Sequence, residues 1–212
     1  MEDLHVELVM AYRTHMLMVS IVLLVATQAA DAHFTLLEPA SWLVEDTRGD
    51  PQKAAPCGGT SADAGTPSGA ITKLQGGRPL RLKVQETVFH PGHYRVALAR
   101  TRAALPPDPE VTTRASDRGP QSVSAVIQNP PQAPVLADGL FAHTARPVGP
   151  WEADILIPNI DCERCTIQII QFMAEHGLNR DGDFSYHHCA DVQITADRNR
   201  PMDERWAVAA SR

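Results

Sequence analysis

The sequence predicts an all-β fold, a single antiparallel β-sandwich domain with long loops. Three observations lead to this prediction. Short segments alternate apolar and polar residues with a period of two, clusters of Pro, Gly, Asp and Asn separate these segments, and no long stretch has helical periodicity. Several short strands without intervening helices are typical of a sandwich, here one of the immunoglobulin or fibronectin type.

The clearest strand signal lies at residues 80–85, where Leu, Leu and Val alternate with Arg, Lys and Gln. Further strands are expected at 94–99, 122–128, 153–157, 165–173 and 189–195. Residues 58–69 and 105–120 are rich in Pro or Gly and are expected to be surface loops within the same domain.

The first 32 residues are expected to be a signal peptide. Residues 16–26 form an apolar run too short to span a bilayer, and Ala30 and Ala32 occupy the small-residue positions that precede a cleavage site. Because the residues before Met10 are acidic, Met10 is the expected start. The alternative to a cleaved signal peptide is an uncleaved anchor helix. The mature protein would be secreted or periplasmic, with a domain at 33–196 and a loosely ordered tail at 197–212.

Charge and cysteine content narrow the class of protein. The formal net charge is −6 and no basic patch is visible, which argues against nucleic acid or an anionic membrane as a partner. All four cysteines follow the signal segment, so they are expected to be oxidised. Four cysteines allow three pairings, of which we favour Cys57–Cys189 with Cys162–Cys165.

A histidine at a processed N-terminus can chelate one metal ion with its α-amine and its ring. His33 is expected to be such a residue, and His90 closes a predicted strand before a Pro-Gly turn, at a rim that the N-terminal segment could reach. His93, just after the turn, is the competing ligand. Three nitrogen ligands suit copper, zinc or nickel, and copper is the first choice.

Several motifs resemble the copper-dependent lytic polysaccharide monooxygenases, in particular the bacterial group described as polysaccharide monooxygenase-like. These are His33 after the cleavage site, Pro-Cys-Gly-Gly at 56–59, Val-Phe-His-Pro-Gly-His-Tyr-Arg-Val at 88–96, Cys-Glu-Arg-Cys-Thr-Ile-Gln at 162–168 and Tyr-His-His-Cys-Ala-Asp-Val at 186–192. The resemblance covers nearly the whole mature chain, and the last motif is the most specific.

The resemblance implies one copper ion per chain, an external electron donor, and oxidation of C–H bonds in a polysaccharide with O₂ or H₂O₂ as co-substrate. Tyr186 would then lie on the axial side of the copper. Family members often place Gln or Glu near the oxygen site; since Phe184 stands two residues before Tyr186, that role would fall to Gln168 or Gln171. His188 shares a face with Tyr186 by strand alternation and is a candidate supporting donor.

Other interpretations of the same residues exist. His187 and His188 beside the cysteines could indicate zinc, and Cys162-x-x-Cys165 a thioredoxin-like redox motif, but oxidised cysteines in a strand-rich context favour a structural disulfide. His143 and His176 are expected to be solvated loop residues.

Three functions therefore remain open, each for a monomer that has no membrane contact after cleavage. The first is a copper monooxygenase acting on a polysaccharide. The second is a non-catalytic periplasmic copper-binding or copper-delivery protein, and the third is a carbohydrate-binding sandwich without metal. The low aromatic content, 5% of residues, weakens the polysaccharide assignment, because crystalline polysaccharides are generally bound on exposed aromatic side chains.

Overall fold

The computed structural model describes residues 33–209, with side chains through Trp206. The predicted signal peptide at 1–32, its alternative start at Met10 and the last three residues of the predicted tail lie outside the described residues. The described part is one compact unit.

The described chain forms ten strands, a short 3-10 helix at Arg102–Ala104 and one α-helix, α1, at Glu204–Ala209. The strands are β1 (His33–Glu38), β2 (Thr72–Gln75), β3 (Pro79–Val88), β4 (Gly92–Ala99), β5 (Val111–Ser116), β6 (Gly119–Ala125), β7 (Val135–His143), β8 (Trp151–Leu156), β9 (Cys162–Met173) and β10 (Ser185–Thr195).

Two sheets form the sandwich and a hairpin is added to it. One sheet has the strand order β1-β3-β8, the other β2-β10-β9-β4-β7, and β5 pairs with β6. All of these pairs are antiparallel except β2 with β10, which run parallel. The predicted all-β, predominantly antiparallel single domain is confirmed.

Strand alternation builds the core between the sheets. On β3, Leu80, Leu82 and Val84 are buried, whereas Arg81 is exposed and pairs with acidic residues of β8. The buried side chains of β3 join one cluster with inward-facing residues of β4, β9 and β10. Burying each large aliphatic side chain contributes roughly 1.5–3 kcal/mol, which is why the period-two pattern determines the inward face.

The strand predictions need four corrections. The loop expected at 105–120 contains β5, and strands β1, β2 and β7 were not predicted. Most residues of β5 are exposed although the strand pairs with β6. Because neither face of β5 is buried, its sequence does not alternate apolar and polar residues. β7 is half-buried from Leu136 to Phe141 and is likewise without a clear period.

The tail expected to be loose at 197–212 is held in place up to Trp206. The Asn159 side-chain amide donates to the carbonyl oxygens of Asp197, Arg200 and Pro201 at 2.9–3.2 Å. Trp206 is 8% exposed and belongs to the core cluster. A polar segment is thus ordered by hydrogen bonds to a single buried amide, which its composition does not predict.

Both favoured disulfides are present, Cys57–Cys189 and Cys162–Cys165. Two disulfides indicate an oxidising compartment. Between residues 33 and 209, no helix has the length and apolar character that crossing a membrane requires.

Candidate metal centre

His33 begins β1 and lies opposite Val88, two residues before His90, so both histidines are at the same end of the β1–β3 pair. The His33 side chain is 1% exposed, and its Nε2 lies 2.9 Å from Asp50 Oδ2. A hydrogen bond from His33 is the largest influence on Asp50 and lowers the pKa of that carboxyl group. Asp50 is therefore a carboxylate that accepts a hydrogen bond from His33 Nε2–H.

This tautomer leaves the lone pair on Nδ1, where the Arg48 guanidinium lies 3.4 Å away. Nδ1 is also the ring nitrogen that can close a six-membered chelate together with the α-amine of the same histidine. Asp50 thus selects the ring form that chelation by His33 would require.

The main chain after His33 is held by three side chains, which we call the Phe34 clamp: Gln52, His188 and Glu45. Gln52 Oε1 accepts from the Phe34 amide at 3.1 Å, and His188 Nε2 donates to the Phe34 carbonyl at 2.9 Å. Glu45 Oε2 accepts from the Leu36 amide at 3.1 Å. Gln52 and His188 are at most 1% exposed, so both hydrogen bonds to the Phe34 backbone, next to His33, are shielded from water.

Within the clamp, Glu45 Oε1 lies 3.2 Å from His188 Nδ1. Burial raises the pKa of Glu45 to about 7, and burial lowers the pKa of His188 to about 4. Between these values the carboxyl group keeps its proton and the imidazole is neutral. A neutral His188 can accept from the Glu45 carboxylic acid with Nδ1 while it donates to Phe34 with Nε2.

Tyr186 is completely buried, and its ring lies edge-on to that of His33 with a centroid separation of 5.3 Å. It lies opposite Gln171 in the β9–β10 register, and His188 is on the same face. The expected neighbourhood of Tyr186, His33 and His188 is therefore present.

Gln168 faces away from this group. It is three residues before Gln171 on β9, hence on the opposite face, and its Nε2 donates to the Pro56 carbonyl at 2.9 Å. Of the two glutamines that the sequence offered, Gln171 and not Gln168 lies beside Tyr186.

His90 precedes β4 and His93 lies within it, and the two residues have different neighbours. His90 is 9% exposed and contacts the ring of His176 at a centroid distance of 4.8 Å. His93 contacts Phe172 at 5.2 Å on the face of the sheet opposite Tyr94. Of the two competing residues, His90 is the one that contacts His176, whose ring in turn lies near Tyr186.

His176 and His143 are not solvated, contrary to the sequence-based expectation. His176 is 8% exposed and its ring centroid is 6.4 Å from that of Tyr186. The His143 side chain is 5% exposed, with Nε2 2.8 Å from Glu86 Oε1. Burial lowers the pKa of His143, but hydrogen bonds to Glu86, to Phe141 and to the His90 backbone outweigh it, so that the pKa is raised overall.

Glu86 was not singled out by the sequence, yet it joins the two sheets below the site. Tyr94 Oη donates to its Oε1 at 3.1 Å and Gln171 Nε2 at 3.2 Å. Glu86 lies opposite Phe34 on β1 and is 4% exposed. The only sequence signal was an acidic residue at an inward position of β3.

The zinc and thioredoxin-like interpretations are excluded at these residues. All four cysteines are in disulfides, and Cys162-x-x-Cys165 begins a strand instead of a helix. His187 Nε2 instead lies 2.9 Å from Asp108 Oδ1, on the other face of β10 from Tyr186.

Within residues 33–206, no three or more His, Cys, Asp or Glu side chains are grouped so that they could hold a metal ion. A site made by His33 and His90 needs only two side chains and takes its third nitrogen from the α-amine. The residues present fit copper in that form, because the His33 tautomer and its fixed main chain suit chelation. No protein-family model and no curated protein matches the chain.

Proposed function

We propose that the mature chain is an exported copper protein in which the α-amine and Nδ1 of His33, together with His90, hold one copper ion. One observation carries the proposal: the Asp50 carboxylate accepts a hydrogen bond from Nε2 of the buried His33, which leaves Nδ1 as the ring nitrogen that bears the lone pair. The β1–β3 register supports the pairing, because it places His90 at the same rim.

The residues around this centre each have a defined task. Asp50 orients the His33 ring, the Phe34 clamp fixes the adjacent main chain, and Tyr186 excludes water from one side of the imidazole. Copper bound there would supply one-electron redox chemistry with O₂ or H₂O₂. The rest of the reaction depends on how the chain positions a substrate.

The preferred activity is that of a lytic polysaccharide monooxygenase-like oxidoreductase, acting as a secreted or periplasmic monomer with an external electron donor. It rests on the motif resemblance combined with the placement of Tyr186 beside His33. Oxidised cysteines support the exported compartment.

A non-catalytic copper-binding or copper-delivery role is the second candidate. The low exposure of the aromatic side chains favours it. No Phe, Tyr or Trp side chain between residues 33 and 206 is exposed, whereas binding a crystalline polysaccharide generally uses exposed aromatic rings. His33 and Tyr186 are themselves almost completely buried.

The deciding experiment compares protein that begins at His33 with protein carrying one added residue before it. We expect the native terminus to bind one Cu(II) ion with a type-2 paramagnetic spectrum, and the extended terminus to lose most of that affinity. Equal binding by both forms would contradict chelation by the α-amine. Oxidised oligosaccharides from chitin or cellulose would assign the monooxygenase, and tight copper binding without them would assign delivery.

A further inference from the structure

The His176 ring lies against His90 in a geometry that suits a shared ion. Their centroids are 4.8 Å apart and their planes are inclined at 68°. An imidazole nitrogen binds copper or zinc at about 2 Å, which puts each ring centroid about 3 Å from the ion, so two rings on one ion have centroids roughly 4–6 Å apart. The observed separation lies within this range.

The protonation of His176 suits the same role. Its Nδ1 hydrogen bonds the carbonyl oxygen of Gly177, and since a carbonyl can only accept, Nδ1 carries the proton. The lone pair is then on Nε2. A histidine whose one nitrogen donates to a backbone carbonyl while the other binds a metal is the usual arrangement in metalloproteins.

The loop that carries His176 is held rigidly. The Ser122 hydroxyl is completely buried; it donates to the Met173 carbonyl at 2.6 Å and accepts from the His176 amide at 3.0 Å. The Ser122 amide donates to the His176 carbonyl at 2.9 Å. These bonds fasten the loop after β9 to the middle of β6.

A second connection ties this loop to the turn that carries His90. The Ala174 amide donates to the Pro91 carbonyl at 2.8 Å, so the two histidine-bearing segments are joined next to their imidazoles. Tyr186 completes the neighbourhood, with its ring 6.4 Å from that of His176 and 5.3 Å from that of His33. The preorganisation of both segments lowers the ordering cost of binding an ion.

We propose that His176 is a metal ligand that shares an ion with His90, a pair of imidazoles that needs no third His, Cys, Asp or Glu side chain. The pair deepens the proposed function and rests on it for the choice of copper. The pair can also be tested separately from the N-terminal chelate, because it needs neither a processed terminus nor the His33 ring.

The test uses mature protein with the native His33 terminus and Cu(II) as the only probe. His176→Gln removes the ring, whereas His176→Phe keeps an aromatic edge against His90 and removes both ring nitrogens, and with them the hydrogen bond to Gly177. We expect both variants to lower the Cu(II) affinity at least about tenfold, the loss that even an outer-shell partner produces, and to change the copper hyperfine splitting. His93→Phe, a buried imidazole on another face, is the matched control and should leave both quantities unchanged.

Thermal unfolding of each metal-free variant shows whether it is folded before copper is added. A folded His176→Phe variant with the affinity and spectrum of the unmodified protein would overturn the proposal, since packing alone would then explain the contact. If an added residue before His33 changes nothing while His176→Phe abolishes binding, the pair is retained and the N-terminal chelate is wrong. Native protein that binds no copper overturns both.

Discussion

Glu45 and His188 hold, in the folded protein, the opposite charge states from those that they have in an unfolded chain. Between about pH 4.5 and 6.5 an unfolded glutamate is ionised and an unfolded histidine is protonated. Burial reverses both, with the pKa of Glu45 at about 7 and that of His188 at about 4. Folding moves one proton from the imidazole to the carboxyl group, and the number of protons bound by the pair stays the same. The pair as a whole therefore adds little pH dependence to the free energy of unfolding.

If either residue is replaced, the shifted pKa of the other should make the free energy of unfolding depend on pH. In Glu45→Gln the unfolded chain binds more protons than the folded one between about pH 4 and 6.5, because the pKa of His188 is lowered on folding, so stability should rise with pH. In His188→Gln the folded chain binds more protons between about pH 4.5 and 7, because the pKa of Glu45 is raised, so stability should fall with pH.

Urea unfolding of both variants at several pH values between 4.5 and 7 measures these slopes, expected to reach about 1 kcal/mol per pH unit. The unmodified protein is the reference. Slopes of the same sign in the two variants would show that the proton does not lie on Glu45.

At the scale of elements, the segment after β1 passes very close to the beginning of that strand. Gly49 has a φ of +96°, and a Cβ atom there would stand 1.9 Å from the Phe34 carbonyl oxygen, the acceptor of the His188 hydrogen bond. The chain can pass so close to β1 only because residue 49 has no side chain. The same segment carries Arg48 and Asp50 to the His33 ring.

Gly49→Ala should therefore push this segment away from β1. The left-handed conformation alone costs about 1–3 kcal/mol for a side-chain-bearing residue, and the contact with Phe34 adds to it, so we expect a loss of at least about 2 kcal/mol in the free energy of unfolding. Gly149→Ala is the control, because nothing lies within 4 Å of its added Cβ. Equal urea midpoints for the two variants would disprove the close approach.

The hairpin formed by β5 and β6 has a different role. Through Ser122, β6 holds the loop after β9, and the isolated bridge between Gln121 and Gly177 extends that contact. A largely exposed hairpin thereby positions the His176 loop next to Tyr186.

At the scale of the whole molecule, Cys57–Cys189 joins the N-terminal loop to β10. Cys189 directly follows His188. Trp42 forms hydrogen bonds to both cysteines of the disulfide: its backbone amide donates to the Cys189 carbonyl at 2.9 Å and its indole to the Cys57 carbonyl at 2.7 Å. The disulfide thus joins the segment that supplies Gln52 and Glu45 to the strand that supplies His188 and Tyr186.

The two disulfides should differ widely in their effect on stability. Cys57 and Cys189 are 132 residues apart and Cys162 and Cys165 only 3, so the chain-entropy model gives roughly 5 kcal/mol for the first and under about 2 for the second. Denaturant unfolding of the two double alanine variants measures each loss. A larger loss from the Cys162–Cys165 pair would mean that native-state contacts, and not loop closure, dominate.

Much of this architecture can be predicted from local patterns. Period-two alternation predicts β3 and the central strands, because one face of each must be apolar to be buried. The even number of cysteines predicts oxidation, and the turn after His90 predicts its place at a sheet rim. The Tyr186 to Val192 motif likewise places Tyr186 and His188 on one face through alternation alone.

Only the tertiary structure decides which distant groups meet. The β9–β10 register places Gln171 beside Tyr186 and turns Gln168 away, and register depends on the packing of whole strands. His176 has no local signal, and Glu86 has only that of an acidic residue at an inward position of β3, because their environment is made by segments far away in the chain. By itself the sequence determined which strand faces are apolar and proposed His33 and His90 as ligands. The fold decided the tautomer of His33, the charge states of Glu45 and His188 and the contact with His176, because burial and hydrogen-bond geometry exist only after the chain has closed on itself.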